Sequence, residues 1–271
     1  MNNKYKNLSL VLVSASAVLF IGFSIFASYF APFDPLEANY VYMLTAPNTT
    51  YLMGTDQLGR DIFSRILYGG KTSLLIAFLV TFIIAFIGIF IGIISGYSGG
   101  VLDACIMRFC DVLMAFPGII FILALVSVLG TGIPNLIIAM TATGWTQYAR
   151  VTRSLVLSIK TQTFITQAKM GGAGIIKILI RYIFPNVFPS LIVLITQDVG
   201  SKLLTLAGLS LLGLGSAPPT PEWGFMLSEG KNYIYEAPWI LVFPGMVILI
   251  NVIIFNLLGD CLRDKLDPYN T

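Results

Sequence analysis

Apolar residues in this chain come in runs long enough to cross a bilayer, and that feature removes most folds from consideration. A hydrocarbon core of about 30 Å calls for roughly 20 apolar residues in helical conformation. Six stretches meet or approach that length: Leu8 to Phe30, Ser73 to Ile94, Arg108 to Leu129, Ile133 to Ala149, Val187 to Leu212 and Ala237 to Leu258. The fourth is the shortest, and its far end is polar. Of the 271 residues, 56% are hydrophobic and 11% charged, against roughly a quarter charged in soluble domains. A soluble chain so composed would have too little polar surface to cover its core. The expected fold is an all-α integral membrane protein with six transmembrane helices. Lys4 and Lys6 precede the first run as in a signal peptide, but the run exceeds the 7–15 residues of such a segment. It is expected to stay as an anchor.

Orientation follows from lysine and arginine in the loops, which collect on the cytoplasmic side. With the N-terminus inside, that side holds Lys4, Lys6, Arg108, Arg150, Arg153, Lys160, Lys169, Lys177, Arg181, Arg263 and Lys265. The outer side holds only Arg60, Arg65, Lys71 and Lys231, beside the acids Asp34, Glu37, Asp56, Asp61, Glu222, Glu229 and Glu236. Both termini are therefore expected in the cytoplasm. Residues 1–72 read as an anchor helix with an outer loop, and 73–271 as a core domain with a basic cytoplasmic loop at about 150–185.

Several function classes drop out. The net charge is +3 with no basic block, so no nucleic-acid partner is expected. Histidine is absent, which removes the commonest metal ligand and general base. Cys105, Cys110 and Cys261 form no CxxC pair and no closed disulfide framework; they read as small apolar residues, and no metal site is expected. GGAGIIKILI has glycines and a lysine, but not the spacing of a phosphate-binding loop, and no Ser or Thr follows Lys177. The chain is expected to hydrolyse no ATP and to hold no cofactor of its own.

The basic loop has an internal design. In TFITQAKMGGAG, Phe164, Ile165 and Ala168 give one face of a short helix an apolar side, flanked by Lys160 and Lys169. Gly171 and Gly172 are placed to end it, because glycine accepts the left-handed conformation of a C-terminal cap. Pro185 and Pro189 mark entry to the fifth span. Such a helix suits a groove in a cytoplasmic partner, or equally a resting place among lipid headgroups.

On these residues the chain resembles the integral membrane subunits of ATP-binding-cassette importers. That family carries in this loop an EAA pattern, three residues, a glycine, and a closing PN pair. Here Thr166, Gln167 and Ala168 take the EAA positions, Lys169 follows them, Gly172 is the glycine, and Pro185-Asn186 closes the pattern. The usual glutamate is thus a threonine. The resemblance sharpens to the C-type permeases for dipeptides, oligopeptides and nickel. It does so through GTDQLGRDIFSRILYGGKTSL, MRFCDVLMAFPGII, LSLLGLG, PPTPEWGFML, APW with FPG, and GDCLRDKLDP. It implies a type I importer permease that works as a heterodimer with a second permease. Two ATPase subunits binding ATP and magnesium and an external substrate-binding protein would complete it. The cargo would be small peptides, nickel or metal chelates. An ion-coupled secondary transporter is the alternative; such carriers usually show several midplane acids and inverted repeats, and only one midplane acid stands out here.

Two charged groups stand out. In GTDQLGRDIFSR, Asp56, Arg60, Asp61 and Arg65 alternate in sign, and Asp61 with Arg65 is spaced as an i, i+4 helix pair. In PPTPEWG, Trp223 suits the membrane interface and Glu222 is expected to face outward. Together they form an outer cap or a docking rim for the binding protein. Asp198 falls roughly 18 Å beyond Asn186 at 1.5 Å per residue, near mid-membrane, where an isolated charge costs roughly 2.5–3.5 kcal/mol. Lys202, one turn on, can offset part of that. The pair lines a translocation path or locks two permease halves. Pro117 is expected to kink the third span, with Asp111 reaching water near its cytoplasmic end.

Overall fold

A computed structural model of the chain describes residues 3–215 and 218–266, with side chains from residue 8 onward. The side chains of Lys4 and Lys6, Ser216 and Ala217 before the PPTPEWG motif, and Asp267 and Pro268 of the terminal motif lie outside the described residues. Every regular element among the described residues is helical. Besides short 3-10 turns at Tyr40–Tyr42 and Lys231–Tyr233, these are in chain order α1 (Asn3–Ile25), α2 (Ala27–Phe30), α3 (Ile62–Ser98), α4 (Gly100–Met114), α5 (Gly118–Leu129) and α6 (Ile133–Lys160). There follow α7 (Thr163–Met170), α8 (Ile175–Ile178), a π turn at Leu179–Ile183, α9 (Phe184–Leu211), α10 (Trp223–Gly230) and α11 (Trp239–Leu266).

The six apolar segments all fall on helices, with two differences that matter. Among the described residues, four helical stretches are long and apolar enough to span a bilayer: Leu8–Ile25, Ile62–Ser98, Ile175–Leu211 and Trp239–Leu266. The third segment, expected as one kinked span over Arg108 to Leu129, is instead two helices, α4 and α5, bent by 84°. Pro117 stands just before α5; its ring removes a backbone donor and clashes with the preceding turn. Alone, α5 reaches only about 18 Å at 1.5 Å per residue.

The second difference is α6. It runs to Lys160, beyond Ala149, so its last three turns occupy what reads in sequence as loop. Its polar end is tolerated because α6 packs along α3 through three glycines. A methyl at Gly88 would come within 2.4 Å of the Trp145 carbonyl, at Gly92 within 2.6 Å of the Ala149 carbonyl, and at Gly96 within 2.8 Å of Val156 Cβ. Small residues four apart let two helix backbones approach closely in a membrane, where packing rather than water exclusion drives association.

Three apolar clusters run through the bundle. One gathers Ile62, Leu203, Trp223, Met226 and Phe255; a second joins Ile84, Leu136, Met140 and Tyr148. The third ties Val156 of α6 to Ile165 of α7, Ile178, Ile183 and Leu191. The outward faces are apolar as well. Val11, Leu12, Val18 and Leu19 of α1 are each more than half exposed, as expected of a lipid-facing helix. Ser9 and Cys261 touch at 3.9 Å between their side-chain oxygen and sulfur, so the first turns of α1 lie beside the last turns of α11.

Candidate functional site

The basic loop folds as α7, which ends at Met170 and is capped by Gly171; Gly172 has φ +76. No side-chain space constrains Gly172, since nothing lies within 4 Å of a Cβ built there; the backbone angle is what requires glycine. Ile165 is fully buried and pins the helix to the third cluster. Thr166, Gln167 and Lys169 are exposed and Ala168 half-buried, while Phe164 and Met170 expose apolar surface. Pro185 and Asn186 are exposed at the start of α9, where Asn186 Nδ2 donates to the Tyr182 carbonyl at 2.6 Å.

Tyr97 at the end of α3 is gripped by the last residue of α6 and by one residue of α7. Lys160 Nζ donates to the Tyr97 carbonyl and lies 5.4 Å over the Tyr97 ring, and Lys169 Nζ lies 5.7 Å from the same ring. Two turns of α6 earlier, Arg153 grips Asp103 of α4 with two bonds, Nε to Oδ1 at 2.5 Å and Nη2 to Oδ2 at 2.6 Å. Arg150 reaches Asp111 at 2.5 Å between half-exposed side chains.

At the opposite end, the outer motif is a buried charge cluster. Asp56 Oδ2 accepts from Arg60 Nε at 2.7 Å and from Arg65 Nη1 at 2.5 Å. The other arms of both arginines reach Glu229 of α10, Arg60 at 2.8 Å and Arg65 at 2.7 Å. Gln57 Nε2 also donates to Glu229 at 2.8 Å. Two carboxylates thus face two guanidiniums, the arrangement that best offsets the desolvation of buried charge. Burial pushes the Glu229 carboxyl up from its ordinary value, and the Arg60 charge pulls against that.

The expected Asp61–Arg65 pair does not form. Asp61 caps α3 instead, accepting from Ser64 N at 2.8 Å and Ser64 Oγ at 2.7 Å. A carboxylate already committed to the helix N-terminus leaves Arg65 free to turn to Asp56 and Glu229. Glu222 and Trp223 also depart from expectation: each is only 1% exposed. Glu222 caps α10, accepting from Gly224 N at 2.7 Å, Phe225 N at 2.9 Å and Ser73 Oγ at 3.3 Å. Trp223 Nε1 donates to the Ile66 carbonyl at 2.8 Å, so the indole packs inside the protein rather than at the membrane interface. Burial raises the Glu222 carboxyl above its ordinary value against the pull of those hydrogen bonds.

Asp198 and Lys202 do meet, Lys202 Nζ donating to Asp198 Oδ1 at 2.9 Å. The sequence did not point to the third member: Tyr148 of α6, 1% exposed, donates its hydroxyl to Asp198 Oδ2 at 3.2 Å. Lys202 also borders a cavity of about 340 Å³ between α5, α6 and α9. Among the described residues, no group of three or more His, Cys, Asp or Glu is placed to hold a metal. Glu229 and Tyr148 were the members missed. Glu229 was legible as an outer acid but carried no spacing to the arginines, and Tyr148 carried no signal.

A bundle of apolar helices, with a short exposed helix at one end and a buried charge cluster at the other, is the architecture of a membrane-embedded protein. The chain belongs to the family of binding-protein-dependent transport system inner membrane components, whose model matches residues 88–269. It is 42% identical over 251 residues to the dipeptide transport system permease protein DppC of Haemophilus influenzae, covering 90% of this chain and 85% of that one. It is 45% identical over 252 residues to the glutathione transport system permease protein GsiD of Escherichia coli, covering 93% and 83%. Its fold is similar to a chain in the inward-facing MetNI methionine ABC transporter, with a TM-score of 0.54 at 18% identity, over 72% of this chain and 95% of that one. The chain is therefore an ABC-importer-type permease of the inner membrane. Membership of a binding-protein-dependent system sets aside the ion-coupled carrier.

Proposed function

We propose that this chain is one half of the membrane pathway of an ATP-driven importer of small peptides. It pairs with a second, related permease and receives cargo from an external binding protein. Two separate ATPase subunits bind ATP and magnesium and dock on α7. ATPase closure moves α7, and the helices packed on it switch the pathway between its two faces.

The observation that carries this reading is α7 itself. It is anchored by one buried side chain, Ile165, while Phe164 and Met170 remain exposed beside Thr166 and Gln167. A short helix so presented matches the helix-in-groove mode of partner recognition. Asp56, Arg60, Arg65 and Glu222 support the cap role over direct docking, because their charges are spent on one another and on helix ends. The peptide cargo is supported by the similar permeases, which are named for a dipeptide and for glutathione. Nickel and metal chelates, also implied by the resemblance, are alternative cargo that competition between labelled nickel and a labelled dipeptide would separate.

The test is purification in mild detergent, with ATPase activity assayed for wild type and for Gly172→Pro. Proline cannot adopt the positive φ of Gly172. An ATPase that co-purifies with both, but whose activity collapses in the variant, supports transmission through α7. Failure of any ATPase to co-purify with wild type would end the proposal.

A further inference from the structure

We infer that Lys202 is the residue that binds the carboxylate of the cargo within the pathway. This rests on the reading of the chain as a peptide permease and narrows it to one atom, the Lys202 ammonium.

The 340 Å³ cavity between α5, α6 and α9 falls in the size range of small-molecule sites, about 300–1,000 Å³. Its wall is apolar on the α5 side, with Ile119 and Ile122, and carries neutral polar groups on the other, with Thr143, Gln147 and Thr205. Lys202 is the one charged residue among those lining it. Its counter-ion is not among the lining residues, although the two side chains are similarly buried. Asp198 stands behind the lysine, 9% exposed, with one oxygen on Lys202 and the other on the buried Tyr148 hydroxyl.

The ion pair is therefore oriented. Its anion is turned into the protein and held by two donors; its cation borders the cavity. An ammonium carries three N–H donors, and one is given to Asp198, which leaves two for a ligand. Asp198 and Tyr148 keep the lysine at a fixed height on α9 and offset the cost of a charge in the membrane. A pair that served only to lock helices together would have no need to present its cation to a cavity. The chemistry that fits two free N–H donors among hydroxyls and one amide is a carboxylate, which every unmodified peptide carries at its C-terminus.

The test uses the complete transporter, co-purified with its partners and reconstituted in vesicles. Uptake of labelled alanylalanine is compared with that of alanylalaninamide. The binding protein screens both probes first, but equally for each permease variant, so the acid-to-amide ratio of a variant divided by that of wild type isolates the permease. Lys202→Met alone would leave Asp198 buried without its cation, so the informative variant is Asp198→Asn with Lys202→Met, which keeps an acceptor for Tyr148. We expect its ratio to fall roughly tenfold, the scale of one charge-assisted hydrogen bond, while Lys202→Arg, which retains the charge, holds the wild-type ratio. An unchanged ratio in the double variant overturns the inference and leaves the peptide reading intact. A fall in Lys202→Arg equal to that in the double variant also overturns it, since shape and not charge would then be read. Wild type that takes up neither probe defeats the peptide reading itself.

Discussion

Arg65 and Glu229 meet at 2.7 Å across 164 residues of sequence, joining the first turns of α3 to the last turns of α10. Arg65 is 1% exposed. The contact makes the outer loops one rigid cap, because Arg60 and Asp56 close the same ring of charges. Removing one partner strands the other without a counter-charge. Arg65→Met is expected to destabilise the protein by about 3 kcal/mol, read as a lowered midpoint of thermal unfolding in detergent. Arg65→Met combined with Glu229→Met should lose less than the sum of the two single variants. Additive losses would mean that the two side chains do not interact.

The α3–α6 contact depends on Gly92, where a Cβ would fall 2.6 Å from the Ala149 carbonyl and from Thr152 Cβ. Both are rigid parts of α6, so the helices must separate. Gly92→Ala is expected to cost about 2 kcal/mol by overpacking, and Gly92→Leu to prevent assembly. Gly22→Ala in α1, where nothing lies within 4 Å of the new methyl, should instead be neutral or mildly stabilising, because alanine lowers the entropy cost of helix formation. Thermal unfolding of the three variants checks the contrast.

Glu222 gives a pH dependence whose sign follows from its burial. Its carboxyl is raised above the ordinary value by desolvation, so the folded protein holds this proton more tightly than the unfolded chain does. The stability it contributes is whole below the unfolded value and is lost as pH rises through the folded one. Glu222→Gln, which keeps one of the two oxygens that accept from Gly224 and Phe225, lacks that loss. The unfolding midpoint of the variant relative to wild type should therefore rise with pH from the ordinary carboxylate range upward. A constant difference across pH would show that Glu222 does not titrate in that window.

Ile165 is the buried anchor of α7. Ile165→Ala should weaken its docking by about 3 kcal/mol and expose the segment to protease. Trypsin is expected to cut after Lys169 faster in the variant than in wild type, with the rest of the chain unaffected. Equal cleavage would mean that the Lys169 contact with Tyr97 suffices to hold α7.

Membrane residence, helical class and α7 were legible in the chain because each is a local property. The length of an apolar run decides whether it can span a bilayer. Two glycines after Met170 decide where a short helix stops. The i, i+4 spacing of Asp198 and Lys202 likewise brings them together on any helix. The GxxxG-like repeat of Gly88, Gly92 and Gly96 is also local, and it marks a face of α3 for close packing without saying which helix packs there.

Only the tertiary structure decided which charges belong together and which way they face. Asp61 had two uses open to it, a pair with Arg65 or the cap of α3, and the cap prevailed because Glu229 and Asp56 were there to take the arginine. Trp223 had the amphipathic character of an interface residue, yet packing of α10 against α3 and α9 closed protein around it. Asp198 and Lys202 were a pair from the sequence, but Tyr148 and the cavity gave that pair a direction. The physical reason is common to all three. Helix formation and membrane insertion are settled over a few turns of one segment, whereas the partner of a buried charge is set by which helices pack together, and that choice joins residues 50 to more than 160 positions apart.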